Sequence, residues 1–368
     1  MHKVTFYPIG NADCSFIELQ SGENLLFDYA HCKSFEDEKD LRVDLKVIIS
    51  DKMEDKKRDY FDIVAFTHAD DDHIRGFSDM FFLEHAKKYQ GEGRLKINEL
   101  WVPAAVICEK NLTEEAKILQ AESRYRLKNK KRIRVFSRPQ PLKDWFESEG
   151  LKMEDFTGMF IDAGQIVPNF ELKRDNFEIF VHSPFAKRED KELIDRNTGS
   201  IVVQCVFQVN GSLTRLILGA DTPWNNWVDI VNITKYHKRP ERLNWDIIKL
   251  PHHCSYLSLS EEKGKDTTVP AKEVAWFYEQ GNSACKIVSP SDVIPKTDTD
   301  QPPHRQAANY YKDVAKTLKG EFLVTMEFPK ESKPEPLEIE IDDDGATTKK
   351  RNLGAAGVVS YKAGGRNG

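Results

Sequence analysis

The most constraining stretch of this chain is Asp62-Ile63-Val64-Ala65-Phe66-Thr67-His68-Ala69-Asp70-Asp71-Asp72-His73. Its apolar run reads as a short buried strand, and the turn after it carries His68, Asp70, Asp72 and His73. The strand period of two sets His68 and Asp70 on one side, and a turn can swing Asp72 and His73 back to the same point. Imidazole and carboxylate together suit zinc, manganese or iron. The pattern recurs twice: Leu216-Ile217-Leu218 runs through Gly219-Ala220 to Asp221, and Ile247-Ile248-Lys249-Leu250 leads through Pro251 to His252-His253. Apolar strands that each end in Asp or His predict ligands gathered on one rim of a sheet assembly. Singly, each has a plainer reading. A strand-end Asp caps a turn or helix, a His pair hydrogen-bonds at a surface or in a core, and an Asp triplet is a solvated turn. The order and spacing of the three together favour the metal.

Further strands are expected over residues 3–9, 14–19, 25–27, 100–102, 177–181, 200–208, 213–218, 285–288, 322–328 and 337–341. Helices are expected over 34–59, 77–89, 109–134 and 306–318, the first and third strongly charged. This predicts an α/β domain over 1–345, with a charged helical insertion at 109–166 and a mobile Gly-rich tail at 346–368. The charge balance, 54 basic against 60 acidic residues, is -6 and excludes a global cationic field for nucleic acid, though not a local patch. Six scattered cysteines without CxxC spacing read as reduced thiols in the cytoplasm. With no signal-peptide pattern and no apolar run near the ~20 residues of a membrane span, no membrane partner is expected. Oligomeric state stays open.

The three strand ends resemble the metallo-β-lactamase hydrolase superfamily, whose HxHxDH signature is followed by a lone Asp after a later strand and a His one strand on. His68 to His73 reads HxDxDH, with Asp70 in place of the second His. That form resembles the hydrolase domain of ComEC-type competence proteins and their soluble relatives. Ile9-Gly10-Asn11-Ala12-Asp13-Cys14 is similar to the GQGDA element of that group, and Leu25-Leu26-Phe27-Asp28 to its LLIDxG strand. Arg196-Asn197-Thr198-Gly199-Ser200-Ile201-Val202 resembles its NNxSLV stretch, and Lys249-Leu250-Pro251-His252-His253-Cys254-Ser255 its KxPHHGS, with Cys254 for Gly.

The resemblance implies an αββα sandwich of two facing mixed sheets, with the site at one edge. It implies one or two divalent ions, Zn²⁺ or Mn²⁺. His68 and Asp70 would hold one; Asp72 and His73 would hold the other with one of His252 and His253; Asp221 would bridge. His253 aligns with the His of the superfamily's His-Gly element and is the preferred ligand. Asp28 and Asp13 would orient ligands. The place of a further metal-binding His in many members holds Asn197 to Ser200, so Asn197 fills it weakly or a single ion results. A metal would lower the pKa of bound water towards ~7; Asp72, beside His73, would accept its proton, and Lys249 and His304 would touch a leaving group.

Arg124, Arg126, Lys128, Lys130, Lys131, Arg132, Arg134 and Arg138 follow one another with no acid between them. Two readings stand: a phosphate-backbone groove beside the site, using Lys130, Lys131, Arg132 and Arg134, or a solvated face balanced by acidic segments. The functional expectation is a metal-dependent phosphodiesterase acting on nucleic acid. The alternatives are a hydrolase of cyclic nucleotides, lactones or other small esters, and a non-catalytic module.

Overall fold

The computed structural model describes residues 1–110, 112–185 and 199–349. Its strands, in chain order, are β1 (His2–Phe6), β2 (Ser15–Glu18), β3 (Asn24–Phe27), β4 (Tyr60–Ala65), β5 (Lys96–Pro103), β6 (Ile133–Phe136), β7 (Phe160–Ile161), β8 (Phe177–Ser183), β9 (Val202–Val209), β10 (Ser212–Leu218), β11 (Trp245–Lys249), β12 (Gly281–Ser289), β13 (Glu321–Val324), β14 (Leu337–Asp342) and β15 (Gly345–Thr348). They form two sheets, ordered β15-β14-β1-β2-β3-β4-β5-β6-β7 and β13-β12-β11-β10-β9-β8. Both are mixed. Pairing is parallel from β3 to β7 and from β10 to β13, and antiparallel elsewhere.

The central strands are apolar on both faces, which is why they read as continuous apolar runs. Leu25, Phe27, Ile63, Ala65 and Trp101 meet Leu216, Leu218, Ile247 and Val288 in the core between the sheets. The alternate residues Leu26, Val64, Phe66, Leu100 and Val102 pack outward against the helix Leu45–Asp55 and residues of Glu114–Lys128. On the other side Ile217, Ile248 and Leu250 pack against helices Trp224–Tyr236, Lys272–Tyr278 and Arg305–Thr317. The layers are helix, sheet, sheet, helix: the αββα sandwich that the resemblance implied. The parallel blocks of both sheets point their C-terminal ends to one edge, where ligands collect in open α/β sheets.

Several expected elements change form. Of 34–59 only Leu45–Asp55 is helical, started by the Asp44 carboxylate accepting from Val47 N at 3.1 Å. The charged stretch before it is folded around Asp40, which accepts from the backbone N–H of Ser34 and of Arg42. The helix expected at 77–89 shortens to Phe77–Met80, because Phe81 forms a β-bridge to Leu95. Residues 109–166 are not an appended helical insertion. They hold helices Glu114–Lys128 and Gln140–Ser148, but also β6 and β7, which extend the first sheet. Ile133 and Val135 alternate with arginines, so that strand was hidden inside the charged run. At the C-terminal end β15 carries pairing to Thr348, past the expected boundary at 345, and the rest of the expected tail, from 350, lies outside the described residues. All six cysteines are free thiols. Among the described residues no helix is long and apolar enough to cross a membrane.

Candidate metal centre

Four strand ends meet at the shared edge. β3 ends at Asp28, β4 runs into Thr67 to His73, β10 leads to Asp221, and β11 leads to the turn Pro251–Cys254. Asp28 is a fixed acceptor. It takes the Thr67 N–H at 2.7 Å through Oδ1 and the Thr67 hydroxyl at 2.8 Å through Oδ2. Because that hydroxyl gives its hydrogen to Asp28, it can only accept from His68 Nδ1, 3.1 Å away. His68 therefore presents a bare Nε2, which is buried, has no hydrogen-bond partner and lies 3.7 Å from Asp70 Oδ2.

The other two ligand-type histidines are oriented by the same logic. His73, on the short helix Asp71–Ile74, donates from Nδ1 to Asp28 Oδ2 at 2.9 Å and turns Nε2 towards Asp221 Oδ1 at 3.1 Å. His253 donates from Nδ1 to the Pro290 carbonyl at 2.9 Å and turns Nε2 towards Asp72 Oδ2 at 3.2 Å and Asp221 Oδ2 at 3.7 Å. Each tautomer follows from the acceptor that holds the other nitrogen. One ligand atom from each of Asp72, His73, Asp221 and His253 lies within 4.8 Å of all the others. Imidazole lone pairs facing carboxylates across a buried space fit a divalent cation.

The electrostatics agree. Burial opposes the imidazolium form of His73, but Asp221, Asp28 and Asp13 outweigh it and hold its pKa well above the ordinary value. For His253 burial is likewise outweighed, by Asp221 and Asp72, and its pKa is raised to about 9. Burial favours the neutral acid at Asp72 and Asp221, yet the facing histidines hold both below the ordinary carboxylate range. His68, by contrast, is pushed down by burial and by His73. The pocket calls for positive charge between these groups, and protons supply it when no metal does.

His253 reaches the cluster and His252 does not. Their rings are 6.3 Å apart at 84°, and His252 is only half buried. The cause is local backbone: His252, His253 and Cys254 hold φ of 49°, 52° and 65°, three left-handed residues in a row. Such residues cost about 1–2 kcal/mol each without glycine, and they turn neighbouring side chains apart. Cys254, where the resembled motif has Gly, occupies a position that glycine adopts without strain. Gly219 has a different reason: a Cβ there would lie 3.2 Å from Trp227 and 3.3 Å from the Lys249 carbonyl.

Lys249 does not reach a leaving group. It is 2% exposed, and its ammonium is bound by Asp13 Oδ2 beneath the centre. Asp13 is itself 1% exposed, lies 3.5 Å from His73 Nδ1, and ties its backbone N–H to the Asp72 carbonyl at 3.0 Å. His304 braces the turn that carries His253, donating its backbone N–H to the Cys254 carbonyl at 3.1 Å and accepting from Tyr256 N at 3.4 Å. Asn197 lies outside the described residues, although Ile201 just after it donates to the Thr67 carbonyl at 3.0 Å. Thr67 and the Pro290 carbonyl were not anticipated. Thr67 sits inside the motif, where a hydroxyl beside His68 was the available signal; a backbone carbonyl leaves none.

The centre of the basic run lies elsewhere. β6 and β4 are parallel, with Arg134 and Ala65 both level with Trp101 of β5. Lys130, Lys131 and Arg132 precede β6, so they lie at the opposite end of the strands from His68. At about 3.3 Å per residue, six-residue β4 spans roughly 20 Å. Most of the run is matched by acids: Arg126 pairs with Glu122, Lys128 with Glu149, Lys131 with Glu84, Arg134 with Glu99 and Arg138 with Asp162. Of the four cations expected in a groove, Lys130, Lys131 and Arg132 lie away from the centre, and Lys131 and Arg134 are each paired with an acid.

No protein-family model matches the chain, and no curated protein matches it. Among solved structures it is similar to the metallo-β-lactamase fold protein YhfI from Bacillus subtilis, at 13% identity over 88% of this chain and 96% of that one, TM-score 0.39. It is similar to unliganded yeast PDE1, at 10% identity over 88% and 96%, TM-score 0.42. A third is a new diphosphatase from the PhnP family, at 9% identity over 88% and 87%, TM-score 0.33.

Proposed function

We propose that this protein is a metal-dependent hydrolase of phosphodiesters. The observation that carries this reading is the meeting of Asp72, His73, Asp221 and His253 within 4.8 Å, with both imidazole Nε2 atoms turned inward. These four would hold one ion. His68 Nε2, buried and unpartnered, would hold a second with Asp70 and the shared Asp221. When bound, divalent ions supply Lewis-acid stabilisation of negative charge on a phosphoryl oxygen and activate water at neutral pH.

The chain's own residues do the rest. Asp28 and the Pro290 carbonyl hold Nδ1 of the two imidazoles, so Nε2 is the nitrogen turned to the ion, and the proton it carries in the metal-free centre leaves when the ion enters. Asp72 is the least buried of the four and is the proton acceptor of this scheme. A carboxylate-rich set is hard, which makes Mn²⁺ as suitable as Zn²⁺. The two stretches that resemble the ComEC-type group, Ile9 to Cys14 and Leu25 to Asp28, converge on His73 through Asp13 and Asp28, which supports a nuclease within this class.

A second reading, hydrolysis of a small phosphodiester or ester, is favoured by the position of Lys130, Lys131 and Arg132 ahead of β6, at the far end of the strands. One experiment separates them: cleavage of labelled single- and double-stranded DNA and RNA, and of cyclic nucleotides, with Mn²⁺, Zn²⁺ or Mg²⁺, beside an Asp72→Ala, His73→Ala control. Polymer cleavage lost in the control supports the nuclease. Turnover of small diesters alone selects the second reading. Bound metal with no turnover of any diester sinks phosphodiester chemistry and leaves other esters.

A further inference from the structure

His73 stands between two groups of acids. Its Nε2 faces Asp221, and its Nδ1 faces Asp28 at 2.9 Å and Asp13 at 3.5 Å. One ligand atom each from Asp13, Asp28 and His73 lies within 4.8 Å of the other two, and all three residues are buried. By residue type this second group would also suit a cation. His73 has one Nδ1 hydrogen to give, and the nearer acid, Asp28, takes it. Asp28 is further satisfied by Thr67. Asp13 is left with a buried Oδ1 that has no hydrogen-bond partner and an Oδ2 against the Lys249 ammonium.

We infer that Lys249 is a built-in cation: it fills the acidic group behind His73 and so confines divalent metal to the Asp72–His73–Asp221–His253 side. The inference rests on those four residues being metal ligands, as proposed above. Its geometry is specific. Lys249 is the last residue of β11, the strand whose end also supplies His253, while Asp13 and Asp28 flank strands β2 and β3 of the opposite sheet. The docking that brings His253 to the ligand cluster therefore carries the ammonium to Asp13. Among the described residues Asp13 has no other ion-pair partner besides His73. Without the amine, two buried carboxylates would share a water-poor pocket with the single Nδ1 hydrogen of His73 and no cation of their own, and a divalent ion can replace it. Such an ion would be held by Asp13 and Asp28, and could draw on His73 Nδ1 only by releasing to solvent the hydrogen that Nδ1 now donates to Asp28. Lys249 is thus a positioning residue acting through Asp13 and His73.

The test is metal stoichiometry in the full chain. Wild type, Lys249→Met, Lys249→Arg and the Asp13→Asn, Lys249→Met double variant are stripped with chelator. Each is then titrated with Mn²⁺ or Co²⁺, with bound ion read by elemental analysis after gel filtration and thermal melting followed in parallel. Lys249→Met is expected to bind one more ion per chain than wild type and to gain more melting temperature from the metal. Lys249→Arg and the double variant, in which the acid is neutralised with the base, are expected to return to the wild-type number. If Lys249→Met needs metal to fold, its extra ion is counted in metal-refolded protein. A Lys249→Met chain that takes up no extra ion, or cannot be folded with metal while the double variant folds, overturns the inference. A wild type that binds no ion overturns the metal-centre reading itself, which is a different result.

Discussion

The two ends of the parallel strands handle charge in opposite ways. At the C-terminal ends, Asp13, Asp28, Asp221, His68, His73, His253 and Lys249 are buried together, each turned to face another ionisable or polar group. At the N-terminal ends of β4 to β6, exposed and half-exposed cations pair with acids of the same layer, such as Lys131 of the basic run with Glu84 and Lys96 with Asp59. The linear sequence shows the second region as the more conspicuous, because its charges are of one sign and close together. In three dimensions it is the quieter. Charge density along a chain says little until its partners are placed, whereas charge that has been desolvated alters pKa values and creates a demand for a cation.

The contrast can be broken most sharply by removing a ligand. Asp221→Ala, which takes the shared carboxylate, should lower kcat/KM by about a thousandfold or more, the order expected from losing several kcal/mol of charge stabilisation. Retained turnover would place the chemistry elsewhere. Next in size, Lys249→Met in metal-free protein should cost about 3–5 kcal/mol in urea unfolding, because it leaves the buried Asp13 without its partner. Lys131→Met, at the exposed end, should leave the melting temperature unchanged. Equal losses in the two variants would erase the distinction. Thr67→Val removes the hydroxyl that fixes both Asp28 and His68, and metal affinity measured by competition with a chromophoric chelator should fall about 10–100-fold.

A pH series sharpens the comparison further. The folded pKa of His253 is raised to about 9, so this group stabilises the metal-free fold fully below its unfolded pKa of about 6.5, and the contribution is lost as pH rises through 9. Urea unfolding of metal-free protein should therefore show lower stability at pH 9.5 than at pH 6, and metal affinity should climb over the same window as the competing proton leaves. A metal affinity that does not change between pH 6 and 9 would contradict this. The smallest effect is expected at the basic run. The Lys130→Glu, Lys131→Glu, Arg132→Glu triple variant should keep kcat/KM for a small diester within about twofold, since screening over some 20 Å leaves little coupling. A collapse with polymer substrate alone would restore that surface to substrate binding.

What could be read beforehand followed the range of the interactions. The apolar strands and the Asp or His at their ends are local patterns, and the sandwich and most ligands were visible in them. The choice between His252 and His253 depended on a backbone turn with three left-handed residues, for which the sequence offers only the resemblance of Cys254 to a glycine position. Lys249 was visible as a strand-end cation, but its partner lies 236 residues away. The basic run misled for the same reason. Glu84 and Glu99, which lie 47 and 35 residues from the cations they meet, belong to another part of the chain, and the strand Ile133–Phe136 is too short to stand out among arginines.

The separation of Asp13 from Lys249, and of Asp72 from His253 by 181 residues, also has a meaning in time. During synthesis Asp13, Asp28, Asp70 and Asp72 leave the ribosome first, on the first sheet and its loops, while Asp221, the ammonium and His253 are still to be made. Until β11 arrives, Asp13 lacks its ammonium and Asp72 lacks His253, and water, protons or mobile ions take their place, which keeps this face of the nascent sheet hydrated. Docking of the second sheet then dries the face and delivers its counter-charge in one movement. Closure of the sandwich and maturation of the centre become a single late event.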